Sequence, residues 1–248
     1  MLNFFSKKQY LRDLLENFVD MHCHILPGID DGAKNVEDSI NIIKGLQDLG
    51  IREFIATPHI MQDLYLNDDE SIGDSFQILL EAINYGPLKK IPINPSAEYM
   101  MDDNFSMLLD QNNIFPLKEK YVLVEMSYFQ PPINLEEIIF KIKMKGFIPI
   151  IAHPERYSFY HNKKEYYKEL KRLGCFFQLN LLSLSEYYGK GTQKIGAFLL
   201  EENLIDFVGT DTHHMNHIKS LSKIIINNKH KKNVLKVIEN TTKTFSVL

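Results

Sequence analysis

The chain has 248 residues, 44% of them hydrophobic, and a formal net charge of −4, so its length suits one large domain or two small ones with a sizeable core. The weakly acidic balance, spread along the chain, argues against nucleic acid as the main partner. The two cysteines, Cys23 and Cys175, lie in no CxxC motif, which argues against a disulfide framework or a thiolate zinc site and indicates a reducing cytoplasm.

The N-terminal segment precedes the first predicted strand and does not read as a signal peptide, because its apolar run is short and interrupted by lysines. No stretch of the chain approaches the roughly 20 apolar residues that a bilayer span needs. The spacing of apolar residues in this segment predicts a short amphipathic helix. Its apolar side would consist of Phe4, Phe5, Leu11, Leu14 and Leu15. We expect this helix to pack across one end of the domain; the alternative is a docking segment for a membrane-associated partner.

Beyond that segment, short apolar strand-like runs alternate with helix-like stretches, which is typical of an α/β fold with a parallel sheet. The predicted strands, in chain order, are 18–25, 53–58, 93–100, 121–128, 147–157, 175–184 and 206–213. The predicted helices are 36–49, 70–84, 105–109, 135–145, 163–173 and 192–202, followed by two lysine-rich helices. Asn35 is the predicted N-cap of the first helix, and Gly50 ends it.

Polar side chains gather near the carboxyl ends of these strands. Residues i and i+2 of a strand point to the same face, so His22 and His24 aim at one point and Cys23 points away from it. Parallel barrels and doubly wound sheets both place their sites at this edge. The strand count favours a (β/α)-type barrel, with an open doubly wound sheet as the alternative. The polar strand-end residues are His22, His24, Asp31, His59, Glu98, Glu125, His153, Asp211 and His213.

Metal ions are the simplest common partner for so many polar groups at the ends of apolar strands. A buried charge without a partner costs on the order of several kcal/mol. One glutamate or histidine at a strand end is usually an ordinary capping or core residue. Imidazoles and carboxylates without thiolate suit Zn, Mn or Fe better than Mg or Ca. The set exceeds the coordination of one ion and indicates two or three ions with a bridging carboxylate, an arrangement typical of phosphoester and amide hydrolysis.

Arg156 is the candidate phosphate-binding and catalytic residue. It follows His153 by three positions and is the one arginine close in sequence to a predicted ligand. A guanidinium group presents a rigid fork that matches phosphate oxygens. The alternative is a salt bridge to Glu155 or to another surface acid.

Several of these segments, taken together and in order, resemble the PHP superfamily, and within it the CpsB/YwqE group of manganese-dependent bacterial tyrosine phosphatases. The motifs are His22-Cys23-His24, the LPGIDDGA run at 26–33, Thr57-Pro58-His59, the AHPERY run at 152–157 and the GTDTH run at 209–213. The resemblance implies a distorted (β/α)7 barrel of the PHP type over 18–248, after an N-terminal extension over 1–17. It implies that the nine strand-end residues hold two or three metal ions. Mn is the expected metal, and Fe and Zn are the alternatives.

Within two of these motifs the resemblance also chooses between neighbouring residues. It selects Asp31 over Asp30, and His213 over the adjacent His214. Glu98 lies in the least distinctive motif of the set.

The resemblance further implies a cytoplasmic protein-tyrosine phosphatase that acts on phosphotyrosines of a bacterial tyrosine kinase involved in capsule or exopolysaccharide synthesis. It leaves the oligomeric state open. One alternative is a PHP-type histidinol-phosphate phosphatase, which uses the same metals. The other is a non-catalytic, metal-dependent binding module docked to a kinase or a membrane assembly.

A cysteine-based phosphatase mechanism is not expected. It needs a thiolate followed by a phosphate-binding loop, with an arginine six residues after the cysteine. Ile29 and Leu181 stand at those positions after Cys23 and Cys175. Neither thiol is therefore predicted to be the nucleophile.

Overall fold

The structure is a computed structural model that describes residues 8–84, 86 and 88–247. All neighbouring strands in its sheets run parallel. The strands are β1 (Phe18–Cys23), β2 (Ile51–Ala56), β3 (His59–Ile60), β4 (Ile93–Pro95), β5 (Glu98–Met100), β6 (Tyr121–Glu125), β7 (Ile148–Ala152), β8 (Phe176–Asn180) and β9 (Phe207–Gly209). The helices are α1 (Val36–Asp48), α2 (Asp69–Ile83), α3 (Asp103–Gln111), α4 (Leu135–Met144), α5 (Lys164–Arg172), α6 (Lys190–Glu201), α7 (Met215–Leu221) and α8 (Lys231–Phe245).

Two of the predicted strands are interrupted, so the described strand segments correspond to seven barrel strands. Segments β2 and β3 are halves of one strand, separated by Thr57 and Pro58, and β4 and β5 are separated by Ser96 and Ala97. A proline has no N–H to donate to the ladder, which explains the first break. The backbone still follows the barrel, because Glu98 N donates to Pro58 O at 3.0 Å. These breaks account for the distortion of the barrel.

The barrel closes between its first and last strands. Asp211 N donates to His22 O at 2.8 Å, and His24 N donates to Thr212 O at 3.0 Å. Below these bonds, the buried carboxylate of Asp20 accepts hydrogen bonds from the backbone N–H and the hydroxyl of Thr210. The closure confirms the predicted (β/α)7 barrel over the open sheet.

The domain has two apolar layers. One lies inside the barrel, and the other lies between the strands and the surrounding helices. Val19, Met21 and Leu123 belong to the inner layer, together with Phe245 at the end of α8. The Phe245 ring packs against Phe207, with ring centroids 5.0 Å apart. Phe207 begins β9, so the last helix fills the barrel at the end where the strands start, and the opposite end is left for polar groups.

Most predicted helices agree with the structure to within a few residues. The Asn35 side chain accepts a hydrogen bond from Asp38 N, which confirms the predicted N-cap of α1. The predicted strands 147–157 and 175–184 extend too far, because 3-10 turns at Pro154–Arg156 and Leu181–Leu184 follow β7 and β8. In the described part of the chain, no helix combines the length and apolar character needed to cross a bilayer.

The residues just before β1 pack against the body of the domain. Leu11 and Leu15 are fully buried. Leu11 N donates to Ile224 O, and Ile226 N donates to Gln9 O, each at 2.9 Å. The predicted amphipathic helix is a 3-10 turn at Leu11–Leu14. Its predicted members Phe4 and Phe5 lie outside the described residues.

We expect Leu11→Ala to lower the free energy of unfolding by about 2–5 kcal/mol, because it removes a buried side chain and leaves a cavity. The measurement is urea denaturation followed by circular dichroism. The neighbouring exposed Arg12→Ala is the control and is expected to change stability by less than about 0.5 kcal/mol. Equal, small effects of both substitutions would show that the segment before β1 adds nothing to the fold.

Candidate metal centre

The nine predicted ligands converge at the carboxyl ends of the barrel strands. Eight of them form three overlapping groups, and within each group one nitrogen or oxygen atom per residue lies within 4.8 Å of all the others. The groups are His24, Asp31, His59 and His213; then His22, His24, Glu98 and Asp211; then His59, Glu98 and Glu125. His153 is outside these groups, but its Nε2 lies 3.1 Å from Glu98 Oε1.

Glu98 lies at the centre of the cluster. Its Oε2 atom is 3.2 Å from His22 Nε2 and 3.5 Å from His24 Nε2. The same oxygen is 3.2 Å from His59 Nδ1, while Oε1 faces His153. The two oxygens of one carboxylate thus face four histidines from three different strand ends. This is the position that a bridging carboxylate needs.

Several buried atoms of the cluster lack a hydrogen bond of acceptable geometry among the described residues. They are His59 Nδ1, Glu98 Oε2, Glu125 Oε1 and His153 Nδ1. His59 Nδ1 and Glu125 Oε1 are only 2.9 Å apart, yet they are not aligned as a hydrogen bond. Unpaired buried polar atoms are costly, and cations are natural partners for them. The donor set of imidazole nitrogens and carboxylate oxygens fits Mn, Fe or Zn.

The electrostatics of the cluster favour added positive charge. Burial disfavours the protonated imidazole of His24, but the charge of Asp30 and the hydrogen bonds that nearby carboxylates accept from the ring raise its pKa well above the usual value. Burial also disfavours the charged form of Asp211, yet the neighbouring His22 helps to hold its pKa well below the ordinary range. Metal ions compete with protons for these same atoms, so binding an ion here releases protons.

The two aspartates of the loop after β1 have different positions. Asp31 Oδ1 lies 3.4 Å from both His59 Nε2 and His213 Nε2, and its side chain is 55% exposed. Asp30 Oδ2 is instead 2.8 Å from His24 Nδ1. A carboxylate at Nδ1 keeps the proton on that nitrogen and leaves Nε2 free to face the cluster. Asp31 faces the centre, and Asp30 orients a histidine.

Two amides on β8 also support the cluster, although the sequence analysis assigned this strand no site residue. Gln178 Oε1 is 3.0 Å from His22 Nδ1, and Asn180 Nδ2 donates to Asp211 Oδ2 at 2.8 Å. Both amides hold residues that face the cluster. Their i, i+2 spacing at a strand end is the same signal that pointed to His22 and His24.

Arg156 lies beside the cluster and is held on three sides. Its Nη1 donates to Asp211 Oδ2 at 2.8 Å. The guanidinium carbon lies 4.7 Å from the ring centre of Tyr128 and 4.2 Å from that of Tyr188. Its ion pair is thus with a predicted ligand. Glu155 is instead fully buried and accepts hydrogen bonds from Asn180 N and from the Ser183 hydroxyl.

A cavity of about 360 Å³ opens over the cluster. Its polar lining includes Arg156 and six of the nine predicted ligands, namely Asp31, His59, Glu125, His153, Asp211 and His213. Another cavity of about 420 Å³ is lined by residues of α6 and α8 and by none of the nine. The chemistry of the described residues therefore places the site in the smaller cavity.

We expect Cys23→Ser and Cys175→Ser each to retain most of the catalytic activity. Both thiols are buried. Burial raises the pKa of Cys175 to about 12 and that of Cys23 well above its usual value, so neither is a thiolate near neutral pH. Phosphate release by each purified variant is the measurement. A single inactive, folded variant would require a thiol in the mechanism.

Together, the closed parallel barrel and the histidine- and carboxylate-rich cluster define a PHP-type α/β barrel with a candidate multinuclear metal centre. Over residues 18–243, the sequence matches the family described as capsular polysaccharide synthesis, CpsB/CapC. The chain belongs to this family, which confirms the resemblance found in the sequence.

Three relatives show what the chain is similar to. It is 32% identical over 201 residues to the tyrosine-protein phosphatase YwqE of Bacillus subtilis, covering 79% of this chain and 78% of that one. It is 28% identical over 214 residues to the putative tyrosine-protein phosphatase CapC of Staphylococcus aureus, covering 85% and 83%. It is 29% identical over 207 residues to CpsB of Streptococcus agalactiae, covering 79% and 83%.

Solved structures agree on the fold. One, from a study of YwqE from Bacillus subtilis and CpsB from Streptococcus pneumoniae as metal-dependent tyrosine phosphatases, has a TM-score of 0.74 and 28% identity, covering 90% of this chain and 95% of that one. A histidinol phosphate phosphatase from Lactococcus lactis has a TM-score of 0.54 and 13% identity, covering 88% and 94%. The second likeness supports the barrel fold alone.

Proposed function

We propose that this chain is a metal-dependent protein-tyrosine phosphatase whose reaction takes place in the cavity at the strand ends. The observation that carries the proposal is the meeting of nine predicted ligands beside Arg156, where several buried donor atoms lack a hydrogen-bond partner among the described residues. Membership in the CpsB/CapC family and the names of the relatives support the substrate class. The histidinol-phosphate alternative has only a shared fold in its favour.

The proposed cofactor is Mn, as two or three ions, with Fe or Zn as alternatives. The three groups of donors would hold the ions, and each pair of groups shares one residue, namely Glu98, His24 or His59. Ions bound here would lower the pKa of a water toward neutrality and offset charge on the phosphoryl group. Asp30 and Gln178 would keep the ligating nitrogens of His24 and His22 turned inward.

Arg156 is the proposed binder of phosphoryl oxygens. Asp211 occupies Nη1, and the described residues offer no hydrogen-bond partner to Nε or Nη2. The rings of Tyr128 and Tyr188 hold the guanidinium plane in place without using its donors. The remaining N–H groups are thus oriented in advance for an anion, where they would stabilise charge that develops on the phosphate.

The proposed physiological substrate is phosphotyrosine on a bacterial tyrosine kinase that acts in capsule or exopolysaccharide synthesis, and the proposed compartment is the cytoplasm. The relatives' names and the family description support this assignment. A tyrosine leaving group has a pKa of about 10, so it departs with less help from an acid than an alkyl alcohol does.

We also propose the division into an extension, 1–17, and a catalytic domain, 18–248, which the start of the family match at residue 18 supports.

Phosphate release from a phosphotyrosine peptide tests the proposal, after chelation and re-addition of Mn, Zn, Fe or Mg. We expect activity to disappear with the chelator, to return best with Mn, and to exceed activity on phosphoserine and histidinol phosphate. Metal-dependent turnover confined to histidinol phosphate would keep the site and change the substrate. Bound ions without turnover of any ester would favour the binding module.

A further inference from the structure

The cavity over the metal centre is lined by apolar side chains as well as by polar ones. Besides its polar floor, it is lined by Leu64, Tyr128 and Phe129, which we call the apolar rim. Leu64 is 70% exposed, Phe129 is 94% exposed and Tyr128 is 43% exposed. Exposed apolar side chains grouped at the mouth of a functional cavity are candidate contacts for a partner or substrate.

Leu64 is held in a fixed position rather than on a loose loop. Met61 N donates to Tyr65 O at 2.9 Å, and Tyr65 N donates to Met61 O at 3.0 Å, so the two residues close a tight turn around Leu64. Gln62 N donates to Asp102 Oδ2 at 2.9 Å, which ties this turn to the start of α3. An apolar group presented in advance loses little conformational entropy when it binds.

Phe129 is also presented by a restrained segment. Phe129 N donates to Ser127 Oγ at 3.3 Å. Pro131 and Pro132 follow, and their rings restrict the backbone. Ile133, the next residue, is fully exposed. The apolar surface therefore continues from the cavity mouth along this segment.

The cavity offers few cationic side chains to a residue beside the bound phosphotyrosine. None of the described lining residues is a lysine, and the single arginine, Arg156, is paired with Asp211. An acidic neighbour of the phosphotyrosine would therefore gain little from this lining. A phosphate on the floor leaves its tyrosine ring pointing outward, so the polypeptide that carries the ring must cross the rim.

We infer that the apolar rim binds an apolar residue next to the phosphotyrosine, so that the preferred substrate is an extended protein segment with a leucine-like side chain beside that tyrosine. The inference rests on the proposed phosphatase function and deepens it. Leu64 and Phe129 act as specificity-determining residues, and the metal centre and Arg156 act on the phosphate itself.

Two phosphotyrosine peptides of equal length and charge test the inference. One has leucine on both sides of the phosphotyrosine, and the other has serine at these positions. With the full-length Mn-loaded protein, we expect kcat/KM to be about tenfold higher for the leucine peptide, mainly through KM, because burial of part of one leucine is worth about that factor. Phenyl phosphate is assayed alongside as a substrate with no neighbours.

The variants Phe129→Ser and Leu64→Ser are expected to reduce this preference at least about threefold, measured as the ratio between the two peptides for each variant. Phe140→Ser is the matched control. Phe140 is 64% exposed on α4 and does not line the cavity, so this variant should keep the full preference. Using a ratio removes any general effect of a substitution on folding or metal loading.

The possible results distinguish a failure of the rim inference from a failure of the proposed phosphatase function. Hydrolysis of phenyl phosphate with equal kcat/KM for both peptides would overturn the rim inference and leave the phosphatase proposal standing. Loss of the preference in Phe140→Ser as well would also overturn it. A wild-type dimer that Phe129→Ser separates, without any peptide preference, would assign the rim to a second copy of the chain. No hydrolysis of phenyl phosphate with any metal would overturn both proposals.

Discussion

Glu98→Gln is expected to lower kcat/KM for a phosphotyrosine peptide by at least about a hundredfold, equivalent to about 2.7 kcal/mol of transition-state stabilisation. Glutamine keeps the size of the side chain and removes its charge. Glu98 Oε2 lies 3.2 Å from both His22 Nε2 and His59 Nδ1, so this charge serves two of the three donor groups. We therefore expect the variant to bind fewer metal ions as well.

Metal content is measured by plasma mass spectrometry on the same preparations as the kinetics, and circular dichroism checks the fold. Glu137→Gln, at an exposed position on α4, is the control and should match the wild type. Glu98→Asp keeps the charge on a shorter side chain and is expected to fall between the two. Full metal content and full activity in folded Glu98→Gln would exclude the bridging role.

Arg156→Lys is expected to lower kcat/KM by about a hundredfold while leaving the metal content unchanged. Lysine keeps a positive charge near Asp211 but loses the planar fork and its fit between the rings of Tyr128 and Tyr188. Two roles are open to this arginine: binding phosphoryl oxygens, or only positioning Asp211. Unchanged metal content with slow turnover supports the first.

The measurements are metal content and steady-state kinetics at saturating Mn. Arg172→Lys is the control, because Arg172 is 69% exposed on α5 and pairs only with Glu169 among the described residues. Loss of metal in step with loss of activity would show that Arg156 serves the ligand Asp211. Wild-type turnover in Arg156→Lys would remove it from phosphate binding altogether.

The strand and helix order was predictable because it follows from short-range patterns. Apolar strand runs, glycine stops and the Asn35 cap are local features, and the structure has the elements where they place them. The breaks at Pro58 and Ser96 were not predicted as breaks. Whether a short interruption ends a strand depends on the hydrogen bonds of its neighbours, such as the bond from Glu98 N to Pro58 O.

Residue type and position near a strand end, both local properties, pointed to most of the nine metal ligands and to Arg156, because carboxyl ends of parallel strands meet at one edge. The choice of Asp31 over Asp30 and of His213 over His214 came from the family resemblance. Their supporting contacts were not predictable. Gln178 reaches His22 across 156 positions of the chain, and Arg156 reaches Asp211 across 55. The i, i+2 spacing of Gln178 and Asn180 marks one face of a strand end, but it does not tell which distant residue each amide contacts.

The sequence by itself therefore determined a parallel α/β fold, the chemical character of the centre and its candidate donors. The hydrogen bonds between the first and last strands decided for the barrel over the open sheet. The tertiary structure decided which carboxylate is central, which aspartate faces inward and which exposed apolar groups surround the cavity. The physical reason is the range of the interactions. Backbone propensity and side-chain alternation act over a few residues, whereas hydrogen bonds and ion pairs near 3 Å exist only after chain closure brings distant strand ends together.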